Sequence, residues 1–347
     1  MITAREDPGL GHESVPAGEE DALARVVELS REKYEQDYAN VRPALRDQHP
    51  KSHGCVRAEF VVGSDVAPEL RFGSFAKPGT YVAWIRFSSA SSQPLPDSKR
   101  DAHGMSIKVM GIEGEKVLPS ERDETTQDFI VANSRAFFCR NASDYVVLAS
   151  RMSEGRLLRF FFGADPRRWR LHEFVNLMLA TQKKVVNPLQ IRYWSQTPSA
   201  LGPHAVKYSA TPHGGRRDTR PVSGDSDYLE EAIARQLAIG EVAFEFMVQL
   251  QTDTRKMPVE DPTIQWKERA SPFRKVATIR IPAQDFTSKA RKDFAEGLSF
   301  TPWHSLPDHR PLGGINRIRR AVYEAISKLR HEKNDVPRRE PTAHDES

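Results

Sequence analysis

The sequence has little that would place the protein in a membrane or outside the cytoplasm. Only two of its 347 residues are cysteines, Cys55 and Cys139. They form no CxxC pair, so neither a disulfide framework nor a cysteine metal site is predicted. No run approaches the roughly 18 apolar residues that a membrane span needs. Residues 1–20 are polar and acidic and lack the apolar centre of a secretory signal. We therefore expect a cytoplasmic protein with no membrane span.

A strong excess of charge of one sign is also missing. The chain has 51 Lys and Arg against 47 Asp and Glu, a net charge of +4. Over this length such an excess is weak support for a polyanionic partner, and we expect no nucleic acid. The tightest basic clusters, residues 167–170 and 317–320, are typical of solvated helix faces. A binding module that acts through a basic surface remains an alternative.

Apolar residues make up 38% of the chain and include 17 Phe, which is enough for a sizeable core. Short runs rich in β-branched and aromatic residues predict strands at residues 54–63, 81–88, 103–110, 127–133, 191–195, 206–211, 243–251 and 276–282. Helical spacing predicts helices at residues 21–38, 142–187 with a break at 165–166, 228–239 and 314–331. The strands form two groups without regular intervening helices. This favours an α+β fold with an antiparallel sheet or barrel over a doubly wound fold.

Two histidines four residues apart, His49 and His53, lie in a polar segment ahead of a predicted strand. On a helix this spacing would place both imidazoles on one face, as in some zinc sites. Pro50 and the following strand disfavour a helix, and no acidic or cysteine partner has zinc-like spacing. Taken alone, either histidine is typical of a structural role.

Four segments, in order, resemble the haem-binding core of the catalase superfamily. They are R-x-x-H at residues 46–49, IRFSSAS at 85–91, RDAHGMSIKV at 100–109 and DFIVANSRAFF at 128–138. The resemblance implies that His49 is the distal acid–base histidine and that Ser88 lies behind it. It also implies that Asn133 is the distal amide.

The predicted C-terminal helix adds an independent pattern. Catalases bind iron through a tyrosinate, with one arginine four residues before it and another seven after. Tyr323 alone among the tyrosines has an arginine four residues before it, Arg319, and Arg330 follows seven residues later. These positions share one helix face. A phenol with a pKa of about 10 must lose its proton to bind ferric iron, and a guanidinium one turn away stabilises the anion.

The resemblance then implies a set of cofactor contacts. Tyr323 is the expected iron ligand, and Arg319 lies beside it. The expected partners of the haem propionates are Arg46, Arg86 and Arg330. The implied cofactor is haem, taken as haem b with its iron.

The chain is much shorter than ordinary catalases and looks closer to the small bacterial catalase-related haem peroxidases and to catalase-like allene oxide synthases. Residues 299–327 are particularly like the small group. The resemblance implies an antiparallel β-barrel of about eight strands with surrounding helices. Residues 1–20 are rich in Gly, Pro and Glu and are expected to form a flexible arm, and residues 333–347 to form a polar tail. Between them we expect a single catalase-like haem domain at 21–332.

The implied activity is that of a peroxidase that reduces hydrogen peroxide, organic hydroperoxides or both, through a ferryl intermediate. Its partners are the peroxide and an unidentified reductant, and a homo-oligomer is left open. Two alternatives remain: a fatty-acid hydroperoxide isomerase or dehydratase of the allene oxide synthase type, and a haem-binding protein with little turnover. Gln48 and Ala90 replace valines of the large catalases. We expect Gln48 to restrain the His49 imidazole through a hydrogen bond, and Ala90 and the short chain to give a wider channel. Both changes favour bulkier hydroperoxides over dismutation of hydrogen peroxide.

Overall fold

The computed structural model describes residues 9–182, 184–214, 217–338 and 340–342, and within them nine strands form one antiparallel sheet. The strands are β1 (Ser52–Val62), β2 (Gly79–Ser89), β3 (His103–Met110), β4 (Thr126–Ala132), β5 (Tyr193–Trp194), β6 (Ser199–Leu201), β7 (His204–Pro212), β8 (Val242–Leu250) and β9 (Arg274–Ile281). Strand β5 pairs with both β4 and β7, which closes eight strands into a barrel, and β6 adds only to β7. The predicted α+β fold with an antiparallel barrel is confirmed.

Seven α-helices accompany the barrel in the described ranges. They are α1 (Glu19–Asp37), α2 (Ala142–Ser153), α3 (Leu158–Phe161), α4 (Leu171–Thr181), α5 (Tyr228–Ile239), α6 (Lys289–Gly297) and α7 (Gly314–Asn334). Helix α7 packs on α1 through an apolar cluster that includes Ala22, Val26, Ile315 and Ile318. No helix of the described part of the chain is long and apolar enough to cross a membrane.

Each predicted strand and helix overlaps an observed element, and two observed elements, β6 and α6, had no prediction. Strand β6 is only three residues long. Helix α6 has the sequence KARKDFAEG, which is short and has only three apolar residues besides glycine, Ala290, Phe294 and Ala295. Its start is instead fixed by Ser288, whose side chain accepts a hydrogen bond from the backbone N–H of Arg291. The predicted helical region at 142–187 is divided into α2, α3 and α4.

The side chains along each strand alternate between two different environments. On β2, the side chains of Ala83, Ile85 and Phe87 belong to the apolar core inside the barrel. Because successive residues of a strand point to opposite faces, Arg86 and Ser88 point outward. These outward residues are only 2% exposed. The outer face is therefore covered too, and the space beneath that cover contains the candidate site.

The described parts of both termini contact the body of the protein. Near the N-terminus, Glu13 accepts a hydrogen bond of 2.6 Å from Arg310. Near the C-terminus, Glu340 forms a 2.7 Å ion pair with the buried Lys108. The division of the chain into an arm, one domain and a tail stays a prediction.

Candidate functional site

A cavity of about 160 Å³, open to solvent, lies between the outer face of the barrel and helix α7. Six of the eight predicted site residues line it: Arg46, His49, Arg86, Arg319, Tyr323 and Arg330.

His49 occupies a strained turn just before β1. Its φ of 59° lies in the left-handed region, which costs a residue other than glycine on the order of 1–3 kcal/mol. The Nη2 group of Arg86 donates hydrogen bonds to the carbonyl oxygens of His49 and Pro50, at 2.9 and 3.3 Å. These bonds support the turn from the barrel wall. The Nδ1 atom of His49 lies 2.9 Å from Oγ of Ser88, so Ser88 reaches the cavity through this ring.

The wall beneath the His49 ring consists of small residues. A Cβ atom on Gly104 would lie 2.7 Å from Cε1 and 2.9 Å from Nδ1 of His49, so the ring position requires a glycine here. Gly104 pairs with Ser88 on β2 and with Ala132 on β4. Ser106, two residues further along β3, also lines the cavity. The register of three strands therefore makes a flat surface on which a planar group can lie.

His49 is neutral at physiological pH. Burial lowers the pKa of His49 to about 3, and the positive charges of Arg86 and Arg319 act in the same direction. With Nδ1 at Ser88, its other ring nitrogen makes no hydrogen bond to the described residues. A neutral imidazole with one free nitrogen can take a proton from a ligand and return it.

Three of the predicted arginines converge on one carboxylate, Glu296, near the end of α6. Arg46 donates a hydrogen bond of 2.7 Å to this carboxylate, and nitrogens of Arg86 and Arg330 lie 3.9 Å from it. Although burial raises the pKa of Glu296, the attraction of the three guanidinium groups outweighs burial and lowers it. The carboxylate is therefore ionised, and three positive charges minus one negative leave an excess of two.

One nitrogen of this cluster has no partner. Nε of Arg86 is buried without a hydrogen bond to any described residue. A buried N–H group that lacks an acceptor costs on the order of 1–3 kcal/mol. The cluster thus has both an uncompensated charge and a free donor, which are features of an anion-binding site.

Helix α7 directs Arg319, Tyr323 and Arg330 toward the cavity. The hydroxyl of Tyr323 has no hydrogen-bond partner in the described part of the chain. Arg319 donates a 3.0 Å hydrogen bond to Oγ1 of Thr197, and its guanidinium lies 5.6 Å from the ring centroid of Phe137. These contacts fix Arg319 one turn before an unpaired phenol.

Asn133 does not line the cavity. Its Oδ1 accepts a 2.9 Å hydrogen bond from the backbone N–H of His103, and its Nδ2 donates to the carbonyl of Ala180 at 3.2 Å. In this structure the amide of Asn133 therefore links β3 to α4.

Sequence reasoning did not identify Glu296 or Gly104. Glu296 belongs to the helix that had no prediction, although a cluster of buried arginines requires a counter-charge that a search could have sought. Gly104 lies between two predicted site positions, and its role appears only from the strand register. Gln48 lines the cavity and its side chain bonds to Asp47, whereas Ala90 is not part of the lining.

The other histidine of the polar segment, His53, belongs to β1 and is 1% exposed. Its Nε2 lies 2.8 Å from Oγ of Ser89, and it does not line the cavity. The described residues contain no group of three or more His, Cys, Asp or Glu side chains that could hold a metal ion.

No protein-family model and no curated protein matches the sequence. Solved structures do match the fold. A fungal catalase is 16% identical, with a TM-score of 0.65 over 86% of this chain and 61% of its own. Catalase A from Saccharomyces cerevisiae is 18% identical, with a TM-score of 0.64 over 96% of this chain and 68% of its own. A bacterial catalase is 16% identical, with a TM-score of 0.62 over 99% of this chain and 67% of its own.

The chain spans 61% of the fungal catalase, less than two thirds of its length. At 16–18% identity these likenesses concern the fold alone. A closer relation to the small peroxidases or to the allene oxide synthases stays a prediction. The closed eight-stranded barrel and its helices agree with the resemblance seen in the sequence, and the chain has the catalase fold.

Proposed function

We propose that the protein is a haem-dependent peroxidase that reduces hydrogen peroxide, organic hydroperoxides or both. The proposal depends on one observation, the convergence of three kinds of group on a single cavity. These are the neutral imidazole of His49, the unpaired hydroxyl of Tyr323 and an arginine cluster with two excess positive charges. Together they match the needs of a haem peroxidase for an acid–base group, an anionic iron ligand and partners for two propionates.

The residues present fit haem. The excess of two positive charges around Glu296 equals the charge of the two propionates, and the unpartnered Nε of Arg86 offers one of them a donor. The small residues Gly104, Ser106 and Ala132 give a porphyrin a flat wall. Tyr323 would hold the iron, and Arg319 would stabilise its phenolate. Arg46, Arg86 and Arg330 would bind the propionates. When bound, haem supplies the iron chemistry that cleaves the O–O bond.

The protein's own part in the reaction is proton transfer. His49 takes the proton from one peroxide oxygen and delivers it to the other, which leaves as water or an alcohol. Ser88 would hold the ring in the tautomer whose Nδ1–H donates to its hydroxyl, which leaves the other nitrogen as an acceptor. An external reductant supplies two electrons and two protons for each peroxide. The role of Asn133 as distal amide stays a prediction; in this structure its amide is bonded to the backbone of His103 and Ala180.

Spectroscopy of the purified protein tests the cofactor and its ligand. We expect a Soret band and the spectrum of a five-coordinate ferric phenolate. Tyr323→Phe should lose haem or shift this spectrum, and Tyr145→Phe, a change in a neighbouring apolar cluster, should not. A protein that never binds haem contradicts the proposal. Unchanged haem content and spectrum in Tyr323→Phe would contradict the ligand.

Peroxide kinetics test the reaction. We expect a higher kcat/KM for cumene and linoleate hydroperoxides than for hydrogen peroxide on one preparation with an added reductant. Fast oxygen evolution with inert organic peroxides would instead identify an ordinary small catalase. Loss of linoleate hydroperoxide without any reductant would favour the isomerase or dehydratase alternative.

A further inference from the structure

Helix α4 exposes one apolar stripe, although it also packs other apolar side chains, Phe174 and Leu177, against the cluster that contains residues of α1 and α7. Its outward face consists of Leu171, Val175 and Leu179, which are 56%, 51% and 59% exposed. These residues are spaced four apart and so form one stripe. Its inward face holds the polar residues Glu173 and Asn176. A surface helix of a globular protein buries its apolar stripe and exposes its charges.

The polar side chains on the inward face are satisfied. Arg140 forms a 2.9 Å ion pair with Glu173. Nδ2 of Asn176 donates to the carbonyl oxygens of Phe137 and Thr263. The helix is therefore anchored to the body through this face, and its orientation is fixed. The exposed apolar stripe follows from this anchoring and has no covering element in the described part of the chain.

Positive charges lie at both ends of the stripe, and none lies within it. Glu173 is the only charged residue of α4, and it is buried. Arg167 and Arg168 are exposed just before the helix, and Lys184 is exposed just after it. Among the described residues of 165–184, Asp165 is the one exposed acidic residue. The three exposed basic residues therefore exceed the acidic ones by two. The 11-residue helix between the two basic ends is about 16 Å long.

We propose that α4 docks the protein on the surface of an anionic lipid bilayer. The three leucine and valine side chains enter the boundary between head groups and acyl chains, and the basic residues at both ends bind lipid phosphates. Trp169, which is 43% exposed beside the helix start, has the amphipathic indole that favours this boundary. Docking by one face of a helix needs no membrane span and does not depend on haem.

The charges favour a lipid surface over a second copy of the chain. A symmetric contact between two α4 stripes would bring each basic end near the same or the opposite basic end of its partner. Like charges across an interface oppose association. An anionic bilayer offers apolar depth beneath a negative surface, which matches both features of the stripe at once.

Vesicle flotation tests the docking surface in the full-length protein. We expect the protein to float with mixed phosphatidylcholine–phosphatidylglycerol vesicles at low salt, and to float poorly with phosphatidylcholine alone or at high salt. The double variant Val175→Glu/Leu179→Glu should remain in the bottom fraction of the gradient with the unbound protein. Ile239→Glu, which changes an apolar residue that is 89% exposed on α5, should float like the wild type.

A second pair of variants tests the basic ends without changing the stripe. Arg167→Glu/Arg168→Glu should weaken binding by about tenfold or more, because each basic residue near an anionic surface contributes about 1 kcal/mol. Arg235→Glu, an exposed arginine of α5, should have little effect. These side chains are exposed, so the variants keep the fold, which circular dichroism will check.

Three results would overturn the proposal. One is the absence of flotation with mixed vesicles. Another is equal, salt-insensitive binding to vesicles with and without phosphatidylglycerol. The third is a wild-type dimer in light scattering that Val175→Glu/Leu179→Glu converts to a monomer, since the stripe would then be an interface between copies.

Discussion

The two faces of strand β2 are equally buried but chemically opposite. The inner face presents Ala83, Ile85 and Phe87 to the barrel core. The outer face presents Arg86 and Ser88, each 2% exposed, to the cavity and to His49. Inside the barrel, burial stabilises the fold directly. Outside it, burial carries a desolvation cost that must be offset by partners.

Arg86 shows the size of that cost. Burial lowers the pKa of Arg86 to about 9, and the positive charge of Arg46 adds to the shift, against the attraction of Glu296. A guanidinium that is destabilised in this way does not contribute to a core. It does prepare a binding site for an anion. The guanidinium has already lost its water, so an incoming carboxylate does not have to displace that water. The contrast between neighbouring residues therefore separates stability from function along a single strand.

The largest expected effect is on stability, at the inner face. Phe87→Ala should lower the free energy of unfolding by about 3–5 kcal/mol, because it opens a cavity in a fully buried apolar cluster. Ser88→Ala, one residue further, should cost about 1 kcal/mol or less, since it removes one hydrogen bond. Urea unfolding of both variants measures the difference. Equal losses of unfolding free energy would mean that the inner face does not contribute more to stability than the outer face.

The next effect is on chemistry, at the outer side. His49→Ala should slow the reaction with peroxide by about 10²–10⁴-fold while haem stays bound, because a general acid–base group contributes that much. His53→Ala is the matched control, because that side chain is buried at Ser89 and does not line the cavity. Stopped-flow mixing with peroxide provides the rates. If His53→Ala is the variant that loses the fast step, the acid–base residue has been misassigned by four positions.

The inner face could be predicted from the sequence, and much of the outer face could not. Alternation of apolar residues in β2 and β3 is a local signal, so the barrel strands were found. The order of the motifs placed six residues at one cavity. The counter-charge Glu296 was missed, because it comes from a short helix with few apolar residues, about 250 residues from Arg46 in the chain. Asn133 directly follows the end of β4, and patterns locate strand ends only to within a few residues.

A smaller effect is expected from Gly104→Ala. The added methyl group would lie within 2.9 Å of two atoms of the His49 ring, so the ring must move away from Ser88. We expect the peroxide reaction to slow by about 10- to 100-fold, which is typical when a positioned group is displaced. The haem spectrum should change little. Gly163→Ala, where an added methyl meets nothing within 4 Å, is the control. An undiminished rate in Gly104→Ala would show that the ring does not need this wall.

The smallest expected effect is that of pH on the rate of the peroxide step. It is compared with the effect of pH on stability, to which a buried histidine of the core also contributes. Burial lowers the pKa of both His309, inside the barrel, and His49 to about 3. The unfolded chain, with histidine near its ordinary pKa of about 6.5, binds more protons than the native state between these values. Stability should therefore fall as pH drops from about 6.5 toward 3.

His49 acts in its neutral form, which stays above about 90% at pH 5 if its pKa is near 3. The rate of the peroxide step for each folded molecule should thus change by less than about twofold between pH 8 and pH 5. Stopped-flow rates and urea midpoints on the same samples measure the two quantities. A rate that falls more than tenfold with a midpoint near 6.5 would show that the His49 ring is exposed to water rather than buried against Gly104.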